Sequence, residues 1–243
     1  MDWLDLATRV GFSVLPNLGL GLVGLWVRAF DRSGFLAGVI LGSLITYAFG
    51  LGGFFGVLAF VVMGSVTTRL KSGRQAIHSP EADRAGATAK TWKNAVANLG
   101  VPAFGALLEA AKPVPLLGVF AMASLATAAF NTVSSEMGKT YAERCFTLQD
   151  LKVKPAGTPG GVSAIGTLSG VAASLAVAMI GFGFGLVSGG MVAYVVLAAL
   201  LATAAESLLK SAAGMRSTHL ANLTNTLLGG LIAALFWTGL RGT

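Results

Sequence analysis

The chain has 243 residues, of which 54% are hydrophobic and only 11% are charged. Because a soluble domain carries about 25% charged residues, this composition excludes an ordinary water-soluble protein and predicts an integral membrane protein. The formal net charge of +7 does not call for a nucleic-acid partner, since membrane orientation and anionic lipid account for it, and no nucleic acid is expected.

Apolar segments long enough to cross a bilayer recur along the whole chain. Eight are expected: Val10–Ala29, Gly34–Gly50, Gly52–Val66, Asn94–Ala111, Pro115–Ser135, Val162–Phe184, Gly190–Leu209 and Leu223–Leu240. The second and third are joined by a very short turn near Leu51 and are expected to pair as a hairpin. The sequence therefore predicts an all-α bundle of about eight transmembrane helices, with residues 1–243 forming a single integral-membrane domain.

The basic residues divide unequally between the two sides of such a bundle. The longest polar stretches, Thr67–Lys93 and Met137–Gly161, each follow an odd-numbered span and therefore lie on the same side. All but three of the 17 Lys and Arg residues face that side; the exceptions are Arg9, Lys112 and Arg241. By the positive-inside rule this side is cytosolic and both termini are outside.

A polar cluster ends the fifth span. Asn131 and Ser135 are spaced i,i+4 and share one helix face, next to the face that carries Glu136. A carboxylate, an amide and a hydroxyl that converge near a membrane surface suit Mg²⁺, which prefers oxygen ligands. The alternative is a solvated helix end, but ionisable groups inside a membrane are rare and costly, which favours a functional site.

The seventh span ends in a similar way with Glu206, Ser207 and Lys210. Glu206 lies where the apolar helix still continues, at the membrane depth expected for Glu136. A second carboxylate at this depth is what a metal–phosphate site requires. The alternative is a simple i,i+4 ion pair between Glu206 and Lys210.

A glycine-rich segment leads into the sixth span and is preceded by Lys152 and Lys154. Glycines allow consecutive backbone N–H groups to bind an anion, and the N-terminus of a helix adds partial positive charge. The residues expected to contribute are Gly157, Thr158, Gly160, Gly161 and Ser163. The alternative is a rigid loop followed by an N-capped helix.

Basic and amide side chains border two further spans. Arg69, Lys71 and Arg84 lie in or near the first long polar stretch, which can hold a polyphosphate or bind anionic lipid. Asparagine pairs lie at the start of the fourth and of the eighth expected spans. These pairs are Asn94 with Asn98 and Asn222 with Asn225. Their amides can orient a ligand or cross-link helices.

The order of these blocks resembles an integral-membrane family that includes the phytyl-phosphate kinases of vitamin E biosynthesis. The resembling blocks are Gly64-Ser65 with Thr67-Thr68-Arg69-Leu70-Lys71, Arg84 followed by Asn94 to Asn98, Asn131-Thr132 with Ser135-Glu136-Met137-Gly138, Lys154 to Ser163, and Glu206-Ser207-Leu208-Leu209 with Asn222 and Asn225. The Ser135-to-Gly138 block and the loop that ends at Ser163 are the specific part. The family usually has Asp at Asn131 and commonly has Asp at Glu206, so the charge of the expected metal site differs here.

The resemblance implies a kinase that moves the γ-phosphoryl group of a nucleoside triphosphate, with CTP as the first expectation, onto a prenyl monophosphate. Glu136 and Glu206 would bind Mg²⁺, and Asn131 and Ser135 would complete the catalytic group. The nucleotide and phosphate ligands would be Arg69, Lys71, Arg84, Asn94, Asn98, Lys152, Lys154, Gly157, Thr158, Gly160, Gly161, Ser163, Ser207, Lys210, Asn222 and Asn225. Membrane lipids are further partners, and a homodimer is compatible with the sequence.

Two other functions use similar parts. A membrane cytidylyltransferase that acts on a lipid phosphate would release pyrophosphate instead of a nucleoside diphosphate. A small-solute transporter would also suit a bundle rich in small residues. Transport predicts polar groups throughout the bilayer depth, whereas the spans here are nearly free of charge at mid-depth, which favours chemistry at the membrane surface.

Overall fold

A computed structural model of the chain describes residues 3–78, 89–212 and 217–241, although not the side chains of 3, 71–78, 212 and 241. The helices in these ranges are α1 (Trp3–Trp26), α2 (Arg32–His78), α3 (Trp92–Ala111), α4 (Pro115–Tyr141), α5 (Ala164–Gly183), α6 (Val192–Ala212) and α7 (Thr218–Arg241). A 3₁₀ turn, Gly189–Met191, precedes α6, and three short strands lie between α4 and α5. The predicted helical membrane bundle is confirmed.

Helix α2 is interrupted at Gly50, which divides it into a first limb (32–49) and a second limb (51–78). Gly50 has φ +59° and ψ −145°, a conformation that is essentially restricted to glycine. A Cβ atom built on Gly53 would lie 2.7 Å from the carbonyl oxygen of Ile45, whereas a continuous helix would separate these residues by roughly 12 Å. The second limb therefore folds back along the first, and the predicted hairpin is confirmed.

Six helices of the described ranges are long and apolar enough to cross a membrane: α1, α2, α4, α5, α6 and α7. This number treats the two limbs of α2 as one span and does not include α3. The expected number of eight spans is therefore not confirmed, although each of the eight expected segments overlaps a helical segment.

Helix α4 is the central helix of the bundle and packs against α2, α3, α5, α6 and α7. Nearly every residue from Gly118 to Val133 is buried, which is the pattern of a helix that is apolar on all sides. Glycines allow the closest of these contacts. A Cβ atom on Gly166 of α5 would lie 2.7 Å from the carbonyl oxygen of Ser134, so only glycine lets the two backbones approach this closely.

The strands β1 (Arg144–Thr147), β2 (Lys152–Pro155) and β3 (Gly161–Val162) form an antiparallel sheet in the order β2-β1-β3. The predicted all-α fold did not include this sheet. Phe146 pairs with both Val153 and Val162, so β1 lies between the other two strands. The sheet holds the glycine-rich loop 156–160 between β2 and β3. Gly160 in this loop contacts α6, where a Cβ atom would lie 2.5 Å from the Ser207 carbonyl oxygen.

Candidate functional site: two adjoining cavities

Two cavities lie at the end of the bundle where α4 and α6 end and where α3, α5 and α7 begin. The slot cavity, about 210 Å³, lies between α1, both limbs of α2, α3, α4 and the start of α7. The loop cavity, about 840 Å³, lies between α4, α6 and the glycine-rich loop. The polar helix ends expected on one side of the membrane therefore do gather at one end of the bundle.

The slot cavity has a polar end and an apolar end. Lysine, glutamate and asparagine side chains line the polar end: Lys90, Asn94, Asn98, Asn131, Glu136, Lys139, Lys210 and Asn222. Aliphatic and aromatic side chains of α1 and α2 line the apolar end: Leu20, Phe35, Val39, Val57, Phe60 and Val61. A ligand that fits this cavity has a charged or polar head and an apolar tail.

Glu136 and Lys90 interact electrostatically at the polar end of the slot cavity. Burial lowers the pKa of the Lys90 ammonium from its ordinary value, and the Glu136 carboxylate partly opposes this shift. Lys90 precedes α3 and was not among the predicted site residues, because a lone lysine at the end of a long polar stretch has no local pattern that marks it.

The asparagines are held by specific hydrogen bonds. The Asn131 side-chain amide donates to the Asn222 side-chain oxygen at 3.2 Å and joins α4 to α7. The Asn94 side-chain oxygen accepts from the Thr91 backbone N–H at 3.0 Å and caps α3. The Asn98 amide donates to the Asn94 carbonyl at 2.8 Å. These bonds hold all four side chains against the slot cavity.

Asn225 lines neither cavity. It is only 1% exposed, and neither side-chain amide atom has a hydrogen-bond partner in the described ranges. Its predicted role as a ligand-orienting residue therefore has no geometric support.

Glu206 lines the loop cavity and is 3% exposed. Its carboxylate forms an ion pair with Lys210, as the i,i+4 spacing predicted. The second carboxylate oxygen, Oε2, and the nearby Thr203 hydroxyl oxygen have no hydrogen-bond partner among the described residues. Buried oxygens of this kind are costly unless a ligand or water satisfies them, which makes this wall of the cavity a candidate binding surface.

The glycine-rich loop lines the opposite wall of the loop cavity. Its predicted residues Gly157, Thr158, Gly160, Gly161 and Ser163 all contribute to that wall. The Gly161 N–H donates to the Thr158 carbonyl at 2.9 Å, so this amide is already engaged within the loop, and its role in binding an anion stays a prediction. Ser163 caps α5 by accepting from the Gly166 N–H, which is the N-capped helix considered as the alternative.

The two cavities share one wall. Asn131, Ser135, Lys139, Lys210 and Thr218 line both of them. Glu136 lines only the slot cavity and Glu206 only the loop cavity, so the two carboxylates lie on either side of the shared wall. Lys139 and Thr218 were not predicted, although Lys139 lies i,i+3 from Glu136 and shares its helix face.

Several predicted phosphate ligands lie elsewhere. Arg69 donates to the carbonyl oxygen of Val27 at 3.1 Å, near the end of α1, and lines neither cavity. Lys152 and Lys154 lie on β2 outside both cavities, and Lys154 is paired with Asp150 at 2.8 Å. This lysine, together with the Thr147 hydroxyl, holds the pKa of the Asp150 carboxyl well below its usual range. Arg84 and the side chain of Lys71 lie outside the described part of the chain.

No group of three or more His, Cys, Asp or Glu residues that could hold a metal ion occurs within the described residues. A Mg²⁺ ion commonly binds one or two carboxylates and takes its other ligands from water and substrate phosphates. Such a partly hydrated Mg²⁺ site fits the two separated carboxylates and the unsatisfied oxygens of Glu206 and Thr203. These groups do not fit a site in which the protein supplies every metal ligand.

The chain is similar to three membrane or organellar proteins over most of its length. It is 34% identical to the uncharacterized membrane protein sll0875 of Synechocystis sp., over 80% of this chain and 77% of the relative. It is 29% identical to protein VTE6, chloroplastic, of Arabidopsis thaliana, over 92% and 70% of the two chains. It is 25% identical to the uncharacterized membrane protein MJ0933 of Methanocaldococcus jannaschii, over 98% of each.

No solved structure matches the chain. The family model described as integral membrane protein DUF92 matches residues 16–236, which include every predicted site residue. The resemblance to an integral-membrane family that the sequence motifs indicated is thereby confirmed. This protein is therefore an integral membrane protein of the DUF92 family.

Proposed function

We propose that this protein transfers the γ-phosphoryl group of a nucleoside triphosphate, with CTP as the expected donor, to a prenyl monophosphate and forms the prenyl diphosphate. The observation that carries the proposal is the pair of adjoining cavities with a shared wall, one of which continues into an apolar slot. The resemblance to the family of phytyl-phosphate kinases and the relationship to VTE6 support it. The reaction takes place at the face that the charge distribution predicts to be cytosolic.

The slot cavity receives the acceptor lipid. Its apolar part follows the second limb of α2 from Val61 to Val57, about one helical turn or roughly 6 Å. This length accommodates the first part of a prenyl tail, and the rest of the tail extends into the bundle surface or the bilayer. The acceptor phosphate then lies at the polar end, beside Glu136 and the asparagines.

The loop cavity receives the nucleotide. It is the larger of the two cavities, and Lys210 and the glycine-rich loop line it with positive charge and backbone groups. The backbone N–H groups of Gly157 and Gly160 donate no hydrogen bond within the described ranges, so both remain available to phosphate oxygens. Arg69, Lys152 and Lys154 are not needed for this arrangement.

The shared wall is the place of phosphoryl transfer. An oxygen of the acceptor phosphate attacks the γ-phosphorus from the slot side, and the bond to the nucleoside diphosphate breaks on the loop side. This chemistry depends on alignment and on electrostatic stabilisation more than on covalent catalysis. Lys139 and Lys210 neutralise charge on the transferring group, while the Asn131 and Ser135 side chains orient it.

Glu206, with Thr203 beside it, would hold Mg²⁺ on the nucleotide side, and Glu136 is positioned to contribute from the acceptor side. The metal would supply positive charge to the nucleotide phosphates, a role that the lysines of the shared wall reinforce.

Product analysis tests the proposal directly. Purified protein is incubated with geranylgeranyl monophosphate, Mg²⁺ and CTP labelled at either the γ- or the α-phosphorus. The kinase reaction transfers the γ-label to the lipid and leaves the α-label in CDP. Transfer of the α-label to the lipid with release of pyrophosphate would identify a cytidylyltransferase, and the absence of any labelled lipid with every nucleoside triphosphate would refute both.

A further inference from the structure

We propose that Lys90 is the side chain that recognises the phosphate of the acceptor lipid and so distinguishes a prenyl monophosphate from an uncharged prenyl alcohol. The inference rests on the proposed function and adds a residue that was not among the predicted site residues. Lys90 lines the slot cavity and does not line the loop cavity, so it is placed to contact the acceptor and not the nucleotide.

The ammonium group of Lys90 reaches into the bundle although its backbone lies outside the helices. A Cβ atom built on Gly64 of α2 would lie 3.2 Å from Lys90 Nζ and 3.4 Å from Thr132 Cγ2 of α4. The Nζ atom therefore lies in the gap between the second limb of α2 and α4. Phe60 and Val61, one turn further along α2, begin the apolar part of the slot.

The backbone of Lys90 is fixed on both sides. Its N–H donates to the Ala29 carbonyl at 3.0 Å, and its carbonyl accepts from the Asp31 N–H at 3.2 Å. Gly34 of α2 packs directly against the Lys90 carbonyl oxygen, a contact that any larger residue would block. The connection between α1 and α2 thus holds Lys90 in place, and the lysine presents its charge at a defined point of the cavity.

The charges at the polar end require an anion. The charged side chains that line the slot cavity, among the described residues, are Lys90, Glu136, Lys139 and Lys210. Lys210 is already paired with Glu206 across the shared wall. Three lysines with one carboxylate in the cavity and one behind it leave an excess of positive charge. This formal excess of one positive charge favours an anionic ligand. A phosphomonoester supplies the negative charge and also accepts hydrogen bonds from an ammonium group that burial has partly removed from water.

The position of Lys90 at the boundary between the polar and the apolar parts defines what it recognises. A ligand held there has its phosphate against the ammonium group and its first carbon atoms against Phe60 and Val61. A free nucleotide cannot satisfy the apolar part, and a prenyl alcohol cannot satisfy the charge. Lys90 therefore selects an amphiphile that carries a phosphate group.

Lys90→Met tests the inference, with Lys93→Met as its matched control, because Lys93 lies three residues away but is exposed and lines neither cavity. Loss of one charge-assisted contact should raise the KM for geranylgeranyl monophosphate roughly 10- to 100-fold. The KM for the nucleotide should stay the same. Lys90→Arg should restore much of the loss, since it keeps the positive charge, and Lys93→Met should behave as the unmodified protein.

A binding measurement without nucleotide separates this inference from the proposed reaction. Thermal stabilisation by farnesyl monophosphate should exceed that by farnesol in the unmodified protein, and Lys90→Met should abolish the difference, whether or not phosphoryl transfer occurs. A neutral side chain is cheaper to bury than an ammonium, so this variant should fold; Lys90→Gln gives a second neutral variant for the same comparison. Equal binding of the phosphate by Lys90→Met and the unmodified protein, or a selective loss of nucleotide binding, would overturn the inference.

Discussion

At the scale of single residues, Glu136 has two roles that one substitution separates. It is the proposed Mg²⁺ ligand on the acceptor side, and it also interacts with Lys90. Glu136→Gln keeps the shape and removes the charge, so turnover should fall by roughly two to three orders of magnitude, as when a preorganised electrostatic group is lost. The melting temperature should change little, because a neutral amide is cheaper to desolvate than a carboxylate.

The opposite pattern identifies a structural role. If Glu136 mainly compensates the buried Lys90, its removal should cost about 3–5 kcal/mol of stability while the folded fraction remains active. Melting temperature and turnover are measured on one preparation. Glu143→Gln is the matched control, since Glu143 is exposed just beyond α4 and lines neither cavity.

At the scale of elements, the first limb of α2 provides a direct test of the lipid slot. Gly38 lines the slot cavity, and a Cβ atom there would have no other atom within 4 Å. Gly38→Leu should therefore fill the apolar part of the slot without straining the helix. The new side chain would displace a few methylene groups of the prenyl tail from the slot, and each lost burial costs about 0.8 kcal/mol. The KM for prenyl monophosphate should therefore rise roughly tenfold or more, with no change in the KM for the nucleotide.

The control for this prediction is Gly19→Leu in α1. Gly19 is exposed, has equally open space around it and does not line the slot cavity. It should therefore leave the kinetics of both substrates unchanged. Similar effects of the two substitutions would show that the apolar end of the cavity does not hold the lipid tail.

The glycine-rich loop gives a second prediction at this scale. Gly157 and Gly160 both have positive φ, but only Gly160 packs against the α6 backbone. Gly160→Ala should push the loop away from α6 and raise the KM for the nucleotide by about tenfold or more, whereas Gly157→Ala adds only backbone strain of about 1–3 kcal/mol. Steady-state kinetics with both substrates and the melting temperatures of both variants check this difference. If the two variants had equal KM values for the nucleotide, the nucleotide would not bind in the loop cavity.

The same elements show why some features could be predicted from the sequence and others could not. Helix periodicity alone places Asn131 on one face with Ser135 and Glu206 on one face with Lys210, and the family motifs add the loop that ends at Ser163. The orientation of β2 depends on its pairing with β1, which the sequence does not reveal, so the sequence could not predict that Lys152 and Lys154 lie outside both cavities. The position of Lys90 depends on contacts with Ala29 and Asp31, about 60 residues earlier in the chain.

At the scale of the whole molecule, the bundle combines a membrane fold with a site confined to one end. Close packing around α4 buries nearly every residue from Gly118 to Val133, while the two cavities lie near the helix ends. Hydropathy predicted the bundle and a hairpin with its turn near Leu51. It could not predict that the polar helix ends form two compartments with a common wall, because that arrangement depends on how five helices pack together.

The central claim is that the phosphoryl group passes directly between two ligands bound at once in the adjoining cavities. Initial rates measured over a grid of prenyl monophosphate and nucleotide concentrations test it most directly. The two-cavity account predicts reciprocal plots that intersect, and no exchange of label between CTP and CDP when the acceptor is absent. Parallel plots together with such exchange would reveal a phosphorylated enzyme intermediate and would contradict direct transfer across the shared wall.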